Sequence, residues 1–254
     1  MADFIRTETV GRVGVLTLHD PTKRNAVNLT MNAEIGEVLD AWEADEDIGA
    51  LVVTGTPPAF CAGADLDDLL ADQDPEGMRR IYDGFLRVAH TTLPTVAAVN
   101  GPAVGAGMNM VLACDLVLAG RDGARFDSRF LQIGLHPGGG HTWRLARTVG
   151  HQTTMAMVVF GQVLDAAEAE RVGLAWRAVD DEALVDEAVA LAARAAEAPK
   201  ELVARTRATI ESLATITDSE AAVTHELHPQ LWSMSQPAFR DLVARLKARI
   251  SRSG

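Results

Sequence analysis

Short apolar runs alternate with helical patterns along the first two thirds of the chain. Runs that are rich in β-branched and aliphatic residues and are bounded by turn residues predict strands. Four such runs lie at residues 11–18, 50–54, 94–100 and 115–119. The run at 50–54 is apolar without interruption, which is typical of a strand buried on both faces. We therefore expect a largely parallel sheet.

Helical periodicity is clearest at residues 29–45, where apolar side chains recur on one face and Asn28 or Thr30 can cap the first turn. Further helical patterns follow at 75–90 and at 108–113. The predicted order of strands and helices indicates an α/β protein.

The acidic segment 65–74 lies between two of these elements, and its carboxylates predict an exposed, mobile loop. From residue 166 onward the pattern predicts helices and no strand. The predicted helices lie at 182–198, 200–214, 219–232 and 237–250. A boundary near residue 197 would separate an α/β core from a helical tail.

Composition narrows the function classes. The 254 residues include 23 basic and 35 acidic side chains, a net charge of −12, which argues against nucleic acid or anionic lipid as main partners. The two cysteines, Cys61 and Cys114, lack metal-site spacing and fit a reducing compartment. No basic segment followed by an apolar run opens the chain, so we expect a cytoplasmic protein without a membrane segment.

Four ordered motifs carry a family resemblance. They read PTKRNAVN at 21–28, AFCAGADL at 59–66, VNGPAVGAGMNMVLACDLVLA at 99–119 and IGLHPGGGHTWRLARTVG at 133–150. In order and spacing, the chain resembles the enoyl-CoA hydratase/isomerase family, also called the crotonase superfamily. The resemblance implies a repeated strand-strand-helix spiral core over 1–195, which binds acyl-CoA. It also implies a C-terminal helical region over 196–254 that forms a homotrimer or a dimer of trimers.

The resemblance also implies an oxyanion site for a thioester carbonyl. Its two backbone N–H donors would belong to Ala62, before the glycine of the GAD motif, and to Ala106, in the glycine-rich turn. The family usually has glycine at the second position, so the site requires a backbone there that an alanine can adopt. The alternative is that Gly105 and Gly107 serve only the packing of a strand against a helix.

The coenzyme A contacts implied by the family fall on backbone groups of two segments, and Lys23 or Arg24 could add charge for phosphates. The alternative is that these two cations are solvated loop residues. Coenzyme A is expected only as part of the substrate, with no separate cofactor and no metal site. The implied contact residues are Arg24, Ala26, Ala62, Gly63, Ala64, Asp65, Leu66 and Ala106.

Two positions depart from the family pattern. Hydratases of this family use two glutamates, and the motifs place Asn109 and Phe130 at those positions. Neither side chain transfers a proton at neutral pH, so standard hydratase activity is not expected. Asn109 could bind substrate or water, or it could simply bridge backbone groups.

Substitute acid or base groups would have to come from neighbouring residues. Asp127, His136 and His141 are the candidates, since each lies near Phe130 in sequence. Each also has a structural interpretation, because Asp127 can pair with Arg129 and the two histidines flank a Pro-Gly turn.

The sequence therefore leaves three hypotheses. The first is an enzyme of acyl-CoA metabolism that stabilises an enolate, of hydratase/isomerase type. The second is a catalytically inactive acyl-CoA carrier. The third is a divergent thioesterase, decarboxylase or dehalogenase of the same family.

Overall fold

A computed structural model describes residues 4–71 and 74–253 of the chain. It divides into two compact units, Met1–Glu197 and Ala198–Gly254. The first unit contains both β-sheets, and the second contains helices alone over its described residues. Within the described segments, no helix combines the length and apolar character that crossing a membrane requires.

The larger sheet has six strands in the order β1-β2-β3-β4-β6-β9. β1 and β2 form an antiparallel hairpin, and every later neighbour is parallel. The largely parallel sheet predicted from the sequence is thereby confirmed. The six strands are β1 (Ile5–Val10), β2 (Val13–Leu18), β3 (Ala50–Gly55), β4 (Thr95–Val99), β6 (Leu116–Gly120) and β9 (Arg177–Val179).

A second, three-stranded sheet carries part of the candidate site. It consists of β5 (Pro102–Val104), β7 (Arg125–Asp127) and β8 (Leu164–Asp165). β5 and β7 run parallel, with Val104 opposite Asp127. The chain therefore leaves both strands at the same edge of this sheet.

Helices of the first unit cover both faces of the larger sheet, which explains the uninterrupted apolar run at 50–54. Leu51 and Val53 pack into the main core, whereas Ala50 and Val52 pack with the helix Leu184–Ala196 on the other face. The helices are α1 (Leu29–Ala44), α2 (Leu66–Ala71), α3 (Pro75–His90), α4 (Ala106–Ala113), α5 (His141–Val158), α6 (Ala166–Val172) and α7 (Leu184–Ala196).

Several elements differ from the sequence predictions, and the short strands β5, β7 and β8 and the helix α5 were not predicted at all. The segment 65–74 was expected to be a loop, but α2 occupies Leu66–Ala71; the expected mobility at residues 72 and 73 lies outside the described residues. The strand β1 was missed because a solvated hairpin strand has few apolar residues to reveal it. The expectation of helices alone after residue 166 was wrong, since β9 pairs with β6 through only three residues.

The second unit consists of α8 (Lys200–Ser212), α9 (Ser219–Ser235) and α10 (Pro237–Ser253), close to the predicted ranges. The Arg205 guanidinium on α8 lies 4.1 Å from the centre of the Trp232 ring on α9. Several large apolar side chains of these helices are exposed, among them Ile210, Val223, Leu231, Leu242 and Leu246.

Asn25 ties the loop after β2 to the segment after β3. Its side chain is fully buried, and its Nδ2 donates to the carbonyls of Thr56 and Ala59 at 2.7 and 2.8 Å. Its Oδ1 accepts the Asp20 N–H at 2.9 Å. The residue also has a φ of 58°, which asparagine tolerates better than most residues.

We expect Asn25→Ala to lower the free energy of unfolding by about 2–4 kcal/mol, because buried carbonyls lose their donor. Urea unfolding measures this change. Asn28→Ala is the comparison, since it removes only the cap of α1 and should cost about 1 kcal/mol. Equal losses in the two variants would contradict the role given to Asn25.

Candidate active site

A cavity of about 880 Å³ lies within the first unit. Its walls come from the loop at 23–26, the segment 58–69, α3, the start of α4 and the segment 128–138. These are the segments that carry the four sequence motifs, together with α3. The cavity brings together eleven predicted site residues, namely Arg24, Ala26, Ala62, Gly63, Ala64, Asp65, Leu66, Ala106, Asn109, Phe130 and His136.

The turn between β5 and α4 positions Ala106. Gly105 precedes the helix with φ 53° and ψ −106°, so the glycine bears the unusual conformation of this turn. Ala106 is the first helical residue and does not have a positive φ. The turn therefore accommodates an alanine where the family usually has glycine.

The N–H of Ala106 is available to a ligand. The first N–H groups of a helix lack an intrahelical acceptor, and among the described residues no other group accepts this one. Ala106 also lines the cavity. The positive end of α4 therefore faces the cavity through an unpaired donor.

The second donor differs from the one that the resemblance implies. The Ala62 N–H donates to the Arg24 carbonyl at 3.0 Å, so it is already satisfied by protein. The residues on either side of Ala64 both pair with Val27, through hydrogen bonds of 2.8 Å. The N–H of Ala64 itself has no partner in the described part of the chain, and Ala64 lines the cavity. Ala64 therefore replaces Ala62 as the candidate donor.

Direct backbone contacts join the two donor segments. The Cys61 N–H donates to the Pro102 carbonyl at 3.1 Å, and the Val104 N–H donates to the Cys61 carbonyl at 2.9 Å. A Cβ at Gly107 would lie 2.3 Å from the Cys61 carbonyl oxygen, so only glycine allows α4 to approach this closely. The glycine-rich turn therefore serves both strand-helix packing and the donor geometry.

Charged groups cluster at one side of the cavity. The Lys23 Nζ lies 2.6 Å from Asp65 Oδ2, and this hydrogen bond raises the pKa of Lys23 and lowers the pKa of Asp65. Arg24 lines the same region and makes no ion pair with any described residue. Arg24 is therefore the cation that a ligand phosphate can engage without breaking an existing pair.

The side chain of Asn109 is committed to protein partners. Its Nδ2 donates to the Gly138 carbonyl at 3.2 Å, and its Oδ1 lies 2.9 Å from His141 Nδ1. Because an amide oxygen only accepts, His141 carries its proton on Nδ1. The Nε2 atom is then an acceptor, and it lies 2.9 Å from the Ser128 hydroxyl. Ser128, His141 and Asn109 therefore form one continuous hydrogen-bonded chain.

His141 is held neutral by its surroundings. Its side chain is 1% exposed, and burial lowers its pKa from 6.5 to about 4. The Phe130 ring packs edge-on against it, with centroids 4.8 Å apart. Phe130 therefore forms an apolar part of the cavity wall beside a neutral imidazole.

The structure places His136 and Asp127 differently. His136 lines the cavity but is exposed, and its Nδ1 donates to the Pro137 carbonyl at 2.8 Å. Asp127 is buried, is not among the cavity-lining residues and is bound by Arg129. The structure therefore gives Asp127 the ion pair that its structural interpretation requires, and not a position in the cavity wall.

Sequence reasoning missed Ser128, and it named His141 as a substitute acid or base without identifying its partners. Ser128 lies between Asp127 and Arg129, two residues that were considered for this region. Ser128 and His141 are 13 residues apart in sequence, and His141 and Asn109 are 32 residues apart. Their hydrogen bonds therefore cannot be recognised from local spacing. The one signal in the sequence is that Asn109 and His141 lie in two neighbouring motifs and that Ser128 lies between those motifs.

The rest of the cavity is mainly apolar. α3 contributes Met78, Ile81, Tyr82 and Phe85, and the opposite wall includes Leu135. Such a lining suits the hydrocarbon part of a ligand.

The comparisons with known proteins agree with this architecture. The family model described as "Enoyl-CoA hydratase/isomerase" matches residues 8–236. The chain belongs to the enoyl-CoA hydratase/isomerase family, the crotonase superfamily, and shares its acyl-CoA chemistry.

Individual relatives support the same assignment. "Probable enoyl-CoA hydratase EchA14" of Mycobacterium tuberculosis is 45% identical over 244 residues, 93% of each chain. "1,2-epoxyphenylacetyl-CoA isomerase" of Escherichia coli is 38% identical over 208 residues, 78% of each chain. An enoyl-CoA hydratase structure from Mycobacterium smegmatis superposes with a TM-score of 0.86 at 30% identity, covering 97% of each chain. The α/β crotonase fold with C-terminal helices is thereby confirmed.

The buried His141 makes stability depend on pH. The unfolded chain protonates this histidine near its ordinary pKa of 6.5, whereas the folded protein does so near 4. The unfolded state therefore binds more protons between these values, and folded stability falls as the pH is lowered through this window. The expected slope from this group is about 1.4 kcal/mol per pH unit.

Urea unfolding of wild type and His141→Gln at several pH values between 4 and 7 measures this contribution. The stability difference between the two proteins should shrink as the pH falls, because the variant lacks the titrating ring. His136→Gln is the control, since that ring is exposed. Parallel curves for wild type and His141→Gln would contradict the interpretation.

Proposed function

We propose that this protein binds acyl-CoA thioesters and stabilises negative charge on the thioester oxygen, as in enzymes of hydratase/isomerase type. One observation carries the proposal: Ala64 and Ala106, whose N–H groups have no partner among the described residues, both line a mainly apolar cavity. Fixed backbone donors of this kind stabilise an oxyanion without reorganisation when charge develops.

The thioester carbonyl would accept from both N–H groups, with the acyl chain directed toward α3. The positive end of the α4 dipole strengthens the donor at Ala106. Since the acyl chain would replace water in the cavity, the hydrogen bonds to the oxygen would gain strength in the drier environment.

The coenzyme A part would follow the loop at 23–26 and the segment 62–66. Arg24 is the proposed phosphate contact because it has no ion pair in the described protein, whereas Lys23 is held by Asp65. Backbone groups of Ala26 and the 62–66 segment would contact the remainder of the coenzyme A group. The net charge of −12 does not prevent this phosphate contact, because Arg24 lies at the cavity and would bind the phosphate directly.

Ordinary hydration is not part of the proposal. Asn109 is engaged by His141 and Gly138, and Phe130 offers no proton. The relatives' names include a probable hydratase and an isomerase, and we place this chain in fatty-acid or related acyl-CoA metabolism without standard hydratase activity. The same two replacements favour a second candidate function, an acyl-CoA carrier that binds without turnover.

We also propose that the second unit assembles copies of this chain into a homotrimer or a dimer of trimers. The exposed apolar side chains on α8, α9 and α10 support this, since such surfaces are usually covered by a partner. Light scattering after gel filtration would give the mass of the assembly, and a monomer at micromolar concentration would contradict it.

Ala106→Pro tests the oxyanion site directly. Proline removes the N–H yet fits the first position of a helix, so α4 should remain folded. We expect binding of butyryl-CoA to weaken by about 3- to 10-fold, the value of one neutral hydrogen bond. A dialkylaminocinnamoyl-CoA should also lose most of the red shift that carbonyl polarisation causes.

Calorimetry and absorption spectra measure these effects. Ala106→Gly is the matched control because it keeps the N–H, and it should behave like wild type. An unchanged red shift in Ala106→Pro would exclude this donor, and failure of any acyl-CoA to bind wild type would overturn the proposal.

A further inference from the structure

We propose that Ser128 is a nucleophile for acyl transfer, activated by His141 and positioned by Asn109, so that the protein hydrolyses acyl-CoA thioesters through an acyl-serine intermediate. This inference rests on the proposed function, because it uses the same oxyanion site. It assigns a nucleophile and a base in a site where Asn109 and Phe130 stand in place of the two expected glutamates.

The first support is the geometry of the hydrogen-bonded chain. The Ser128 hydroxyl lies 2.9 Å from His141 Nε2, and His141 Nδ1 lies 2.9 Å from Asn109 Oδ1. A nucleophile, a base and a group that orients the base are thus in sequence, each within hydrogen-bond reach. The arrangement also leaves the Nε2 lone pair directed at the serine, which is the tautomer that a general base requires.

The second support is access to substrate. Ser128 lines the cavity, although its side chain is 1% exposed, and it follows β7 directly. The Gly105 N–H donates to the Asp127 carbonyl at 3.0 Å, which holds the residue after Asp127 beside the start of α4. The nucleophile and the Ala106 donor are therefore neighbours at one edge of the smaller sheet.

The third support is that the imidazole of His141 and the amide of Asn109 are neutral and buried. His141 and Asn109 are 1% and 2% exposed, and the Phe130 ring shields the imidazole. Asn109 Nδ2 is anchored on the Gly138 carbonyl, so its oxygen has one orientation toward His141. Such restraint keeps the base aligned between reaction steps.

The reaction balances without a further reagent besides water. The Ser128 Oγ attacks the thioester carbon while its proton passes to His141 Nε2, and the tetrahedral oxyanion is held by the N–H groups of Ala64 and Ala106. The C–S bond then breaks, and the coenzyme A sulfur takes the proton from His141. Water attacks the acyl-serine ester, gives its proton to His141, and the serine oxygen leaves with that proton. The products are a carboxylic acid and free coenzyme A.

The substrates for the test are saturated thioesters, acetyl-, butyryl- and octanoyl-CoA, because none of them can undergo hydration. Release of coenzyme A is followed with a thiol reagent on the full chain. Intact-mass spectrometry of rapidly acid-quenched protein looks for addition of one acyl group, and peptide mapping locates it. We expect thiol release by wild type and an acyl adduct on Ser128.

The variants separate the roles. Ser128→Ala and His141→Gln should each reduce coenzyme A release by at least about 1000-fold. Ser128→Cys should still form the acyl adduct, which a purely structural role for the serine would not produce. Thr142→Ala, an exposed neighbour on α5, is the control and should match wild type.

Asn109 is a positioning residue in this scheme. Asn109→Ala should lower kcat by about 10- to 100-fold while KM stays within about 2-fold, since the residue orients the base rather than binds substrate. A change in KM alone would overturn this role.

The outcomes distinguish this inference from the proposed function. If no acyl-CoA binds wild type, both fail. If acyl-CoA binds and its carbonyl is polarised but neither thiol nor acyl adduct appears, the nucleophile is overturned and the oxyanion site stands. Coenzyme A release that persists in folded Ser128→Ala would likewise overturn it. If that variant does not fold, the adduct on wild type and on Ser128→Cys decides the question.

Discussion

The close contact between α4 and the Cys61 backbone is the constraint on which the candidate site depends. Gly107 lets the helix lie against the Cys61 carbonyl, and two hydrogen bonds fasten the same residue to the strand before the helix. The contact brings two backbone segments, about forty residues apart, to one cavity. The N–H groups of Ala64 and Ala106 owe their shared position to this packing, because neither segment alone builds a two-donor site.

Ser128, His141 and Asn109 form a neutral hydrogen-bonded chain beside the cavity. Burying a carboxylate there would require a compensating charge or several donors, whereas serine, histidine and asparagine satisfy one another without net charge. His141 remains uncharged because burial disfavours the imidazolium. The site therefore holds a hydroxyl aligned on a neutral imidazole within the crotonase fold.

Local patterns predicted much of this fold and less of the site. The helix from Leu29 was predictable because burial of one face imposes a helical period on the sequence. The strand at 50–54 was predictable because burial of both faces makes the whole run apolar. β9 was missed because three residues carry no period, and its place is set by pairing with β6. The donor at Ala62 was misassigned, since its N–H is consumed by Arg24, a residue distant in sequence.

The sequence by itself determined the family, the parallel sheet, the glycine turn and the absence of glutamates at positions 109 and 130. These follow from residue identity and local periodicity, which need no knowledge of distant contacts. Only the tertiary structure decided which N–H groups lack a partner among the described residues. It also decided that Asp127 is not a cavity-lining residue and that the Ser128 hydroxyl lies within hydrogen-bond distance of His141. Hydrogen-bond partners and burial depend on segments far apart in the chain, so only the folded protein brings them together.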